Sequence, residues 1–322
     1  MQLSTLPELD QAAAIVYAMM QPTPQYTWPL LNQELGVQAW IKHENHTPTG
    51  AFKARGPLVY IERLLGREPG VKGVIAATRG NHGQSVALGA RRNGLAATIV
   101  VPRGNSVEKN AAMRGFGATL VEHGDDFNES REHALALAER DGLHMVPSCH
   151  PDIVAGVASY WLELFRAQPD IDLVLVPIGQ GSGISAAIAA RAALGLAMKI
   201  VGVVSAHAPA YALSFAAGRS VDAPVSTVLA DGVACRVPEQ SSLDLILREV
   251  DDIITVTDDE IARAMRLYYT CTHNLAEGAG AAALAGALQL RDQGRLRASR
   301  LGLPLTGGNV DAALFGAVLR QA

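Results

Sequence analysis

The chain has 322 residues, of which 49% are hydrophobic, 18% are charged and 31 are glycine. This length and composition exclude a disordered or fibrous protein and suit either one large α/β domain or two lobes. The net charge of −4 gives no basic excess for nucleic acid or an anionic membrane. Because no apolar run reaches the ~18 residues that span a bilayer and no basic leader is visible, we expect a cytoplasmic protein that acts on small molecules.

Short strand-like runs alternate with helical patterns along the chain. Such alternation requires crossover connections, which favour a mainly parallel sheet covered by helices on both faces. The stretch 206–238 has weak periodicity and is expected to be irregular. A capping box at Thr257 and Glu260 opens one of the predicted helices. The predicted strands are 37–42, 73–78, 96–101, 118–122, 172–177, 199–204, 253–256 and 301–305, and the predicted helices are 81–93, 105–115, 127–141, 153–166, 184–194, 259–272 and 277–291.

The first candidate motif spans 44–56 and contains Pro48, Gly50, Phe52 and Lys53. Pro48 and Gly50 predict a turn that opens a helix near Phe52. Lysines are mostly exposed, so on this motif alone Lys53 could be a solvated helical side chain. At a junction between a strand and a helix, partial desolvation could instead lower the pKa of Lys53 and make its amine a nucleophile.

The second motif runs from Thr78 through Arg79, Gly80, Asn81 and His82, where a predicted strand ends and a helix begins. Backbone N–H groups converge at such a junction and favour an anion, for example a substrate carboxylate. The structural alternative makes Asn81 only an N-cap and His82 an ordinary surface histidine.

The third and fourth motifs also follow predicted strands. Gly179, Gly181, Ser182 and Gly183 form a glycine-rich turn that could hold a dinucleotide, hold a single phosphate or serve only as a tight turn. No acidic residue ends the following strand, which favours the single phosphate. The fourth motif begins at Thr306. All four motifs stand near strand C-termini, where open α/β sheets bind their ligands.

Together, and in this order, the four motifs resemble the fold-type II pyridoxal-phosphate enzymes, and more narrowly the serine/threonine dehydratase and serine racemase family. The resemblance extends over nearly the whole chain. It implies a tryptophan synthase β-like α/β fold of two open twisted lobes with pyridoxal 5′-phosphate between them, and a homodimer. It also implies a large cofactor-binding domain at 1–49 and 149–322, and a small domain at 50–148.

The resemblance assigns roles to particular residues. Lys53 would carry the cofactor as a Schiff base, with Phe52 against the ring, Asn81 bonded to the ring 3-hydroxyl and Thr306 at the ring nitrogen. The phosphate would be held by Gly179, Gly181, Ser182 and Gly183. The substrate would be bound by Thr78, Arg79, Gly80, Asn81 and His82.

The resemblance implies a dehydratase, or ammonia-lyase, that converts L-threonine or L-serine to 2-oxobutanoate or pyruvate plus ammonia by β-elimination. In this mechanism the freed amine of Lys53 takes the Cα proton. The hydroxyl of Thr306 cannot stabilise a protonated ring nitrogen as a carboxylate does, which favours elimination over transamination.

Arg79 leaves other functions open. If it pairs with a second substrate carboxylate, the enzyme would be a 3-hydroxyaspartate dehydratase. An arginine cannot act as the second-face base of a racemase, so racemisation is disfavoured. Two further alternatives are a non-catalytic regulatory protein that retains the cofactor and a nucleotide-binding reductase that uses the glycine-rich turn.

We predict no metal site. Relatives that bind a stimulatory divalent cation have carboxylates where this chain has Val204 and Ala210, and a hard cation requires such oxygen ligands. The three cysteines include no Cys-x-x-Cys pair, so neither a zinc site nor a disulfide framework is indicated.

Overall fold

The computed structural model describes residues 1–321 and arranges their strands in two sheets. The strands in this range are β1 (Gln25–Thr27), β2 (Gln38–His43), β3 (Gly73–Ala77), β4 (Ala96–Val101), β5 (Thr119–Glu122), β6 (His144–Met145), β7 (Leu173–Pro177), β8 (Lys199–Ser205), β9 (Asp252–Val256) and β10 (Arg300–Leu305). The α-helices are α1 (Leu6–Tyr17), α2 (Pro29–Leu35), α3 (Arg55–Arg67), α4 (Asn81–Arg92), α5 (Val107–Gly115), α6 (Phe127–Asp141), α7 (Pro151–Ala167), α8 (Ser182–Ala193), α9 (Ala210–Ala217), α10 (Gln240–Glu249), α11 (Asp258–Thr272), α12 (Gly278–Asp292) and α13 (Ala312–Arg320).

One sheet has six strands in the order β1-β2-β10-β7-β8-β9, and the other has four in the order β5-β4-β3-β6. Strand β1 pairs with β2 in the antiparallel sense, and the other neighbouring strands pair in parallel. The parallel strands therefore place their C-terminal ends along a common edge within each sheet. This confirms the predicted α/β class.

Helices cover both faces of the central strands, which is why those strands are apolar throughout. Every residue of β3 is buried. Helix α12 lies close to the six-stranded sheet because its contact face consists of small residues. A Cβ on Gly286 of this helix would come within 2.9 Å of Ile254 and 3.0 Å of Val203, so a side chain there would push the helix outward.

The four strands of the smaller sheet all fall between residues 73 and 145, inside the predicted small domain. The six-stranded sheet takes strands from both sides of that segment. Helix α3 packs against α4 and also against α7, so it contacts both parts of the chain. The proposed limits at residues 50 and 148 stay a prediction.

Each of the eight predicted strands has an observed counterpart, and the capping box at Thr257 and Glu260 is present at the start of α11. The expectation that 206–238 is irregular was wrong in part, because α9 forms there between Pro209 and Gly218. That helix has only two turns, too few to produce a clear hydrophobic period. Helices α1, α2 and α10 were not predicted either.

Among residues 1–321, no helix combines the length and apolar content needed to cross a bilayer. Within the same range, no group of three or more histidine, cysteine, aspartate or glutamate side chains is placed to hold a metal ion. Val204 is buried in β8, and Ala210 opens α9. The expectation of no cation at these two positions remains a prediction.

Candidate active site

Lys53 lies on a single 3-10 turn, Phe52–Ala54, directly before α3. This turn is joined to the end of β10, because the backbone N–H of Phe52 donates to the carbonyl of Thr306 at 2.9 Å. Gly50 makes the junction possible. Its φ is +68°, and a Cβ there would lie 2.6 Å from the Asn309 side-chain oxygen. The first and fourth motifs therefore meet in space.

The amine of Lys53 is partly buried, so the interpretation of Lys53 as an exposed helical side chain was wrong. Its Nζ donates to Oγ of Ser182 at 3.0 Å and lies 5.0 Å from the centre of the Phe52 ring. Burial lowers the pKa of Lys53 to about 8, although Cys149 acts in the opposite direction. An amine with such a pKa is partly neutral near physiological pH and can act as a nucleophile or base.

The glycine-rich turn connects β7 to α8. A Cβ on Gly179 would lie 2.3 Å from the carbonyl of Gly232, and Gly181 has a φ of +90°, so both positions require glycine. Ser182 is buried and begins α8, whose first N–H groups have no partners inside the helix. These donors and the Ser182 hydroxyl suit an anion such as a phosphate, next to the Lys53 amine.

The second motif joins β3 to α4, and α4 packs against the turn that carries Lys53. The hydroxyl of Thr78 accepts the N–H of Gly80 at 3.0 Å. His82 is buried rather than on the surface. Burial, together with the charge of Lys53, lowers the pKa of His82 to about 3, so the imidazole is neutral. Arg79 is exposed.

Asn81 is held by two side chains distant in sequence. Its Nδ2 donates to Oε1 of Glu277 at 2.6 Å, and its Oδ1 accepts Nδ2 of Asn309 at 2.8 Å. No role was predicted for Glu277 or for Lys109, whose Nζ lies 3.9 Å from Glu277 Oε2. The only signal for Glu277 was its place directly before the alanine-rich helix α12, where the partial positive charge of a helix N-terminus is an ordinary reason for an acidic residue.

These residues fit pyridoxal 5′-phosphate. A partly neutral lysine amine lies beside an anion site, and Thr306 is buried next to the lysine turn. Two buried polar atoms near this region, Nδ1 of His82 and Oε2 of Glu277, have no hydrogen-bond partner among residues 1–321. Buried polar groups ordinarily have partners, so these atoms are consistent with a ligand between the motifs.

The model of one protein family, described as pyridoxal-phosphate dependent enzyme, matches residues 17–307. The chain belongs to this family. The predicted fold-type II architecture and the pyridoxal 5′-phosphate cofactor are confirmed, and the alternative of a nucleotide-binding reductase is excluded.

Several curated relatives share about a third of the residues of this pyridoxal-phosphate enzyme. The chain is 31% identical to an L-threonine ammonia-lyase of Thermotoga maritima, and the match covers 98% of this chain and 78% of the relative. It is 34% identical to an L-threo-3-hydroxyaspartate ammonia-lyase of a Pseudomonas species, over 99% and 100%. It is also 34% identical to a biosynthetic L-threonine dehydratase of Pasteurella multocida, over 92% of this chain but 58% of that protein.

The structure resembles that of the processed form of threonine deaminase isoform 2 from Solanum lycopersicum. The TM-score is 0.90 at 30% sequence identity, and the match covers 99% of this chain and 95% of the other. A similarity this extensive shows that the two chains share their whole architecture.

Proposed function

We propose that this enzyme is an ammonia-lyase that converts L-threonine to 2-oxobutanoate and L-serine to pyruvate, releasing ammonia by β-elimination. The observation that carries the proposal is the position of the Lys53 amine, 3.0 Å from the Ser182 hydroxyl at the anion-binding turn. Burial, which lowers the pKa of Lys53 to about 8, supports it. The similarity to proteins named threonine ammonia-lyase supports this choice of reaction and substrate.

Pyridoxal 5′-phosphate, when bound, supplies an electron sink for the bond that breaks at the substrate Cα. The turn from Gly179 to Gly183, with its helix N-terminus, would hold the phosphate, and Phe52 would lie against the ring. The amine of Lys53 takes the Cα proton, for which a pKa of about 8 is suitable near neutral pH. The hydroxyl of Thr306 would lie at the ring nitrogen without giving it a full countercharge, which favours elimination.

The start of α4 binds the substrate carboxylate. Thr78, Gly80 and the first N–H groups of α4, at Asn81 and His82, form the anion site. Because the pKa of His82 is far below neutrality, this side chain contributes a hydrogen bond and no positive charge. Binding of the carboxylate therefore depends on backbone donors.

The experiment that tests this function incubates the holoenzyme with L-threonine, L-serine and threo-3-hydroxyaspartate and measures ammonia and oxo acid. Lys53→Ala should remove the visible absorbance of the lysine-linked cofactor and lower turnover by at least about 1000-fold, because it removes both nucleophile and base. Retained turnover in Lys53→Ala, or no ammonia from any substrate with the cofactor bound, would reject the proposal. The latter result would instead favour a non-catalytic protein, and a change of optical rotation without ammonia would indicate a racemase.

A 3-hydroxyaspartate dehydratase is the second candidate function. It is favoured by Arg79, an exposed cation between two carboxylate-binding residues, and by the Pseudomonas relative, which this chain matches from end to end. If Arg79 binds the second carboxylate, Arg79→Ala should lower kcat/KM for hydroxyaspartate by about 10-fold or more and leave that for threonine within about 3-fold. Arg297→Ala, which changes an exposed arginine near the N-terminal end of β10, is the matched control.

We also infer that the enzyme is a homodimer. Exposed apolar side chains lie on α2, α11 and α13, and α11 packs against both of the others. Clusters of this kind mark interfaces between chains. The members are Leu30, Tyr269, Leu314 and Leu319. The cytoplasmic location remains a prediction.

A further inference from the structure

The amide of Asn81 has a defined orientation. Its oxygen accepts Nδ2 of Asn309, which also donates to the carbonyl of Thr49 at 2.7 Å and is thereby oriented itself. The nitrogen of Asn81 donates to Oε1 of Glu277 at 2.6 Å. An amide nitrogen carries two hydrogens, so one N–H of Asn81 is left for another acceptor.

Glu277 is a buried carboxyl group, 3% exposed, at the N-cap position of α12. Its Oε1 contacts Asn81, whereas Oε2 has no hydrogen-bond partner among residues 1–321. Gly307 makes space for the carboxyl group, since a Cβ there would lie 2.5 Å from Oε1. Burial raises the pKa of Glu277 to about 7, partly opposed by the positive charge of Lys109. Small electrostatic changes can therefore switch its charge near neutral pH.

Lys109 supplies that charge from α5, on the side of the four-stranded sheet. Its Nζ donates to Asp231 at 2.6 Å and lies 3.9 Å from Oε2 of Glu277. Its aliphatic part packs on the second motif, since a Cβ on Gly80 would meet Lys109 Cδ at 2.6 Å. The side chain is thus held against the carboxylate-binding turn and reaches across to the six-stranded sheet.

We propose that Glu277 is a positioning residue for the cofactor: its carboxylate, whose ionisation Lys109 favours, helps to orient the Asn81 amide so that its second N–H points to the ring oxygen. This inference rests on the proposed placement of Asn81 at that oxygen. The donor stabilises the ionised form of the ring oxygen. Lys109 acts on the cofactor only through Glu277.

The charge of Glu277 affects how firmly this arrangement is held, together with the contact from Asn309. An ionised carboxylate only accepts, which requires the nitrogen of Asn81 to face it. A protonated Glu277 can also donate, so it holds the Asn81 nitrogen less firmly, and the contact of the Asn81 oxygen with Asn309 is then the main restraint on the amide. The groups that face Glu277 are Lys109 from α5, Asp231 from the 3-10 turn Asp231–Val233 and Asn81 from α4. Lys109 favours ionisation, whereas Asp231 opposes it.

The test uses the holoenzyme and the ratio of cofactor absorbance from the ionised and the neutral ring oxygen, followed from pH 6 to pH 9. Glu277→Gln should lower this ratio about 3-fold to 10-fold, the effect of one hydrogen bond, at pH 8 to 9, and less toward pH 6, where the wild-type carboxyl group is mostly protonated. Lys109→Met should lower it near pH 7 and restore it at higher pH, because Glu277 then ionises later. The double variant should behave as Glu277→Gln does.

Glu260→Gln is the matched control, since Glu260 is the capping-box glutamate of α11 and has no contact with the site. Its ratio should equal that of the wild type. An unchanged ratio in cofactor-loaded Glu277→Gln would overturn the proposal. If Glu277→Gln fails to fold or to hold the cofactor, Lys109→Met decides: a ratio with the pH dependence of the wild type overturns it.

The spectrum separates this proposal from the proposed function. Ammonia release by a Glu277→Gln variant with an unchanged ratio would remove Glu277 from its role and leave the ammonia-lyase intact. A changed ratio in a protein that releases no ammonia would support the role of Glu277 and reject the reaction.

Discussion

The reactivity of Lys53 depends on its surroundings rather than on its residue type. An ordinary lysine has a pKa near 10.4, so under about 1% of its amine is neutral at pH 8. Burial of Lys53 lowers that pKa to about 8, so about half of the amine is neutral at the same pH. The Lys53 amine donates a hydrogen bond to the uncharged hydroxyl of Ser182 at this contact, and not to a carboxylate.

This shift predicts a pH dependence for attachment of the cofactor. Because the neutral amine of Lys53 is the proposed nucleophile, the rate at which the apoprotein gains lysine-linked absorbance should rise about 10-fold from pH 6 to pH 7 and level off above pH 8. Stopped-flow absorbance would measure this rate, with Lys53→Ala as the blank. A rate that still climbs steeply between pH 9 and pH 10 would contradict the lowered pKa.

At the scale of elements, a buried group of charges ties α3 to α7 and to the end of β2. Arg55, in the first turn after Lys53, is fully buried and bonds Glu44 at 2.7 Å and Glu163 at 2.6 Å. Lys42 bonds Glu163 at 2.5 Å. Burial raises the pKa of Glu163, but Arg55 and Lys42 outweigh it and bring that pKa below its ordinary value. Two cations thus balance two anions.

Removing one member should cost much stability, because it leaves an unpaired buried charge. Arg55→Met is expected to lower the free energy of unfolding by about 3–5 kcal/mol in urea titrations. The control is Arg63→Met. Arg63 lies on α3, as Arg55 does, but it is partly exposed and pairs with Asp152, so its removal should cost less than about 1 kcal/mol. Equal costs for the two variants would contradict a dominant role for the buried group.

At the scale of the whole molecule, α5 is tied to the C-terminal part of the chain at several points. Besides the pair of Lys109 and Asp231, Ser106 donates to Asp311, and Glu108 accepts the N–H of Ala312 at 2.9 Å. These polar contacts close one side of the region that holds the four motifs. Contacts with little apolar area are ones that a movement opening the site to substrate could break.

The proposed homodimer predicts a concentration-dependent mass. Tyr269 is 46% exposed and its ring packs 5.7 Å from that of Phe315 on α13, where Leu314 is 38% exposed. Replacing Tyr269 and Leu314 together by aspartate should convert a dimer to a monomer in sedimentation velocity, because charges would be buried at the interface. Leu135→Asp, at an equally exposed position of α6, should leave the mass unchanged. A monomeric wild type would contradict the inference.

Much of the fold was predictable because it depends on local patterns. Strands such as 96–101 are continuous apolar runs, and helices such as 127–141 have clear periods, so both were predicted with their observed limits. Short elements such as β1 and β6, with three and two residues, could not be predicted, since they exist only through pairing with a neighbouring strand.

The order of the motifs in the sequence by itself determined the family and the residues expected at the cofactor, since strand-end turns that need glycine leave a local pattern. Only the tertiary structure decided which groups surround these residues and set their state of ionisation. Glu277 and Asn81 are 196 residues apart, and a single glutamate before an alanine-rich helix carries no sign of that contact. The lowered pKa of Lys53 likewise depends on burial by segments distant in sequence. Desolvation and charge pairing depend on distances in space, and these exist only after the sheets and helices have packed.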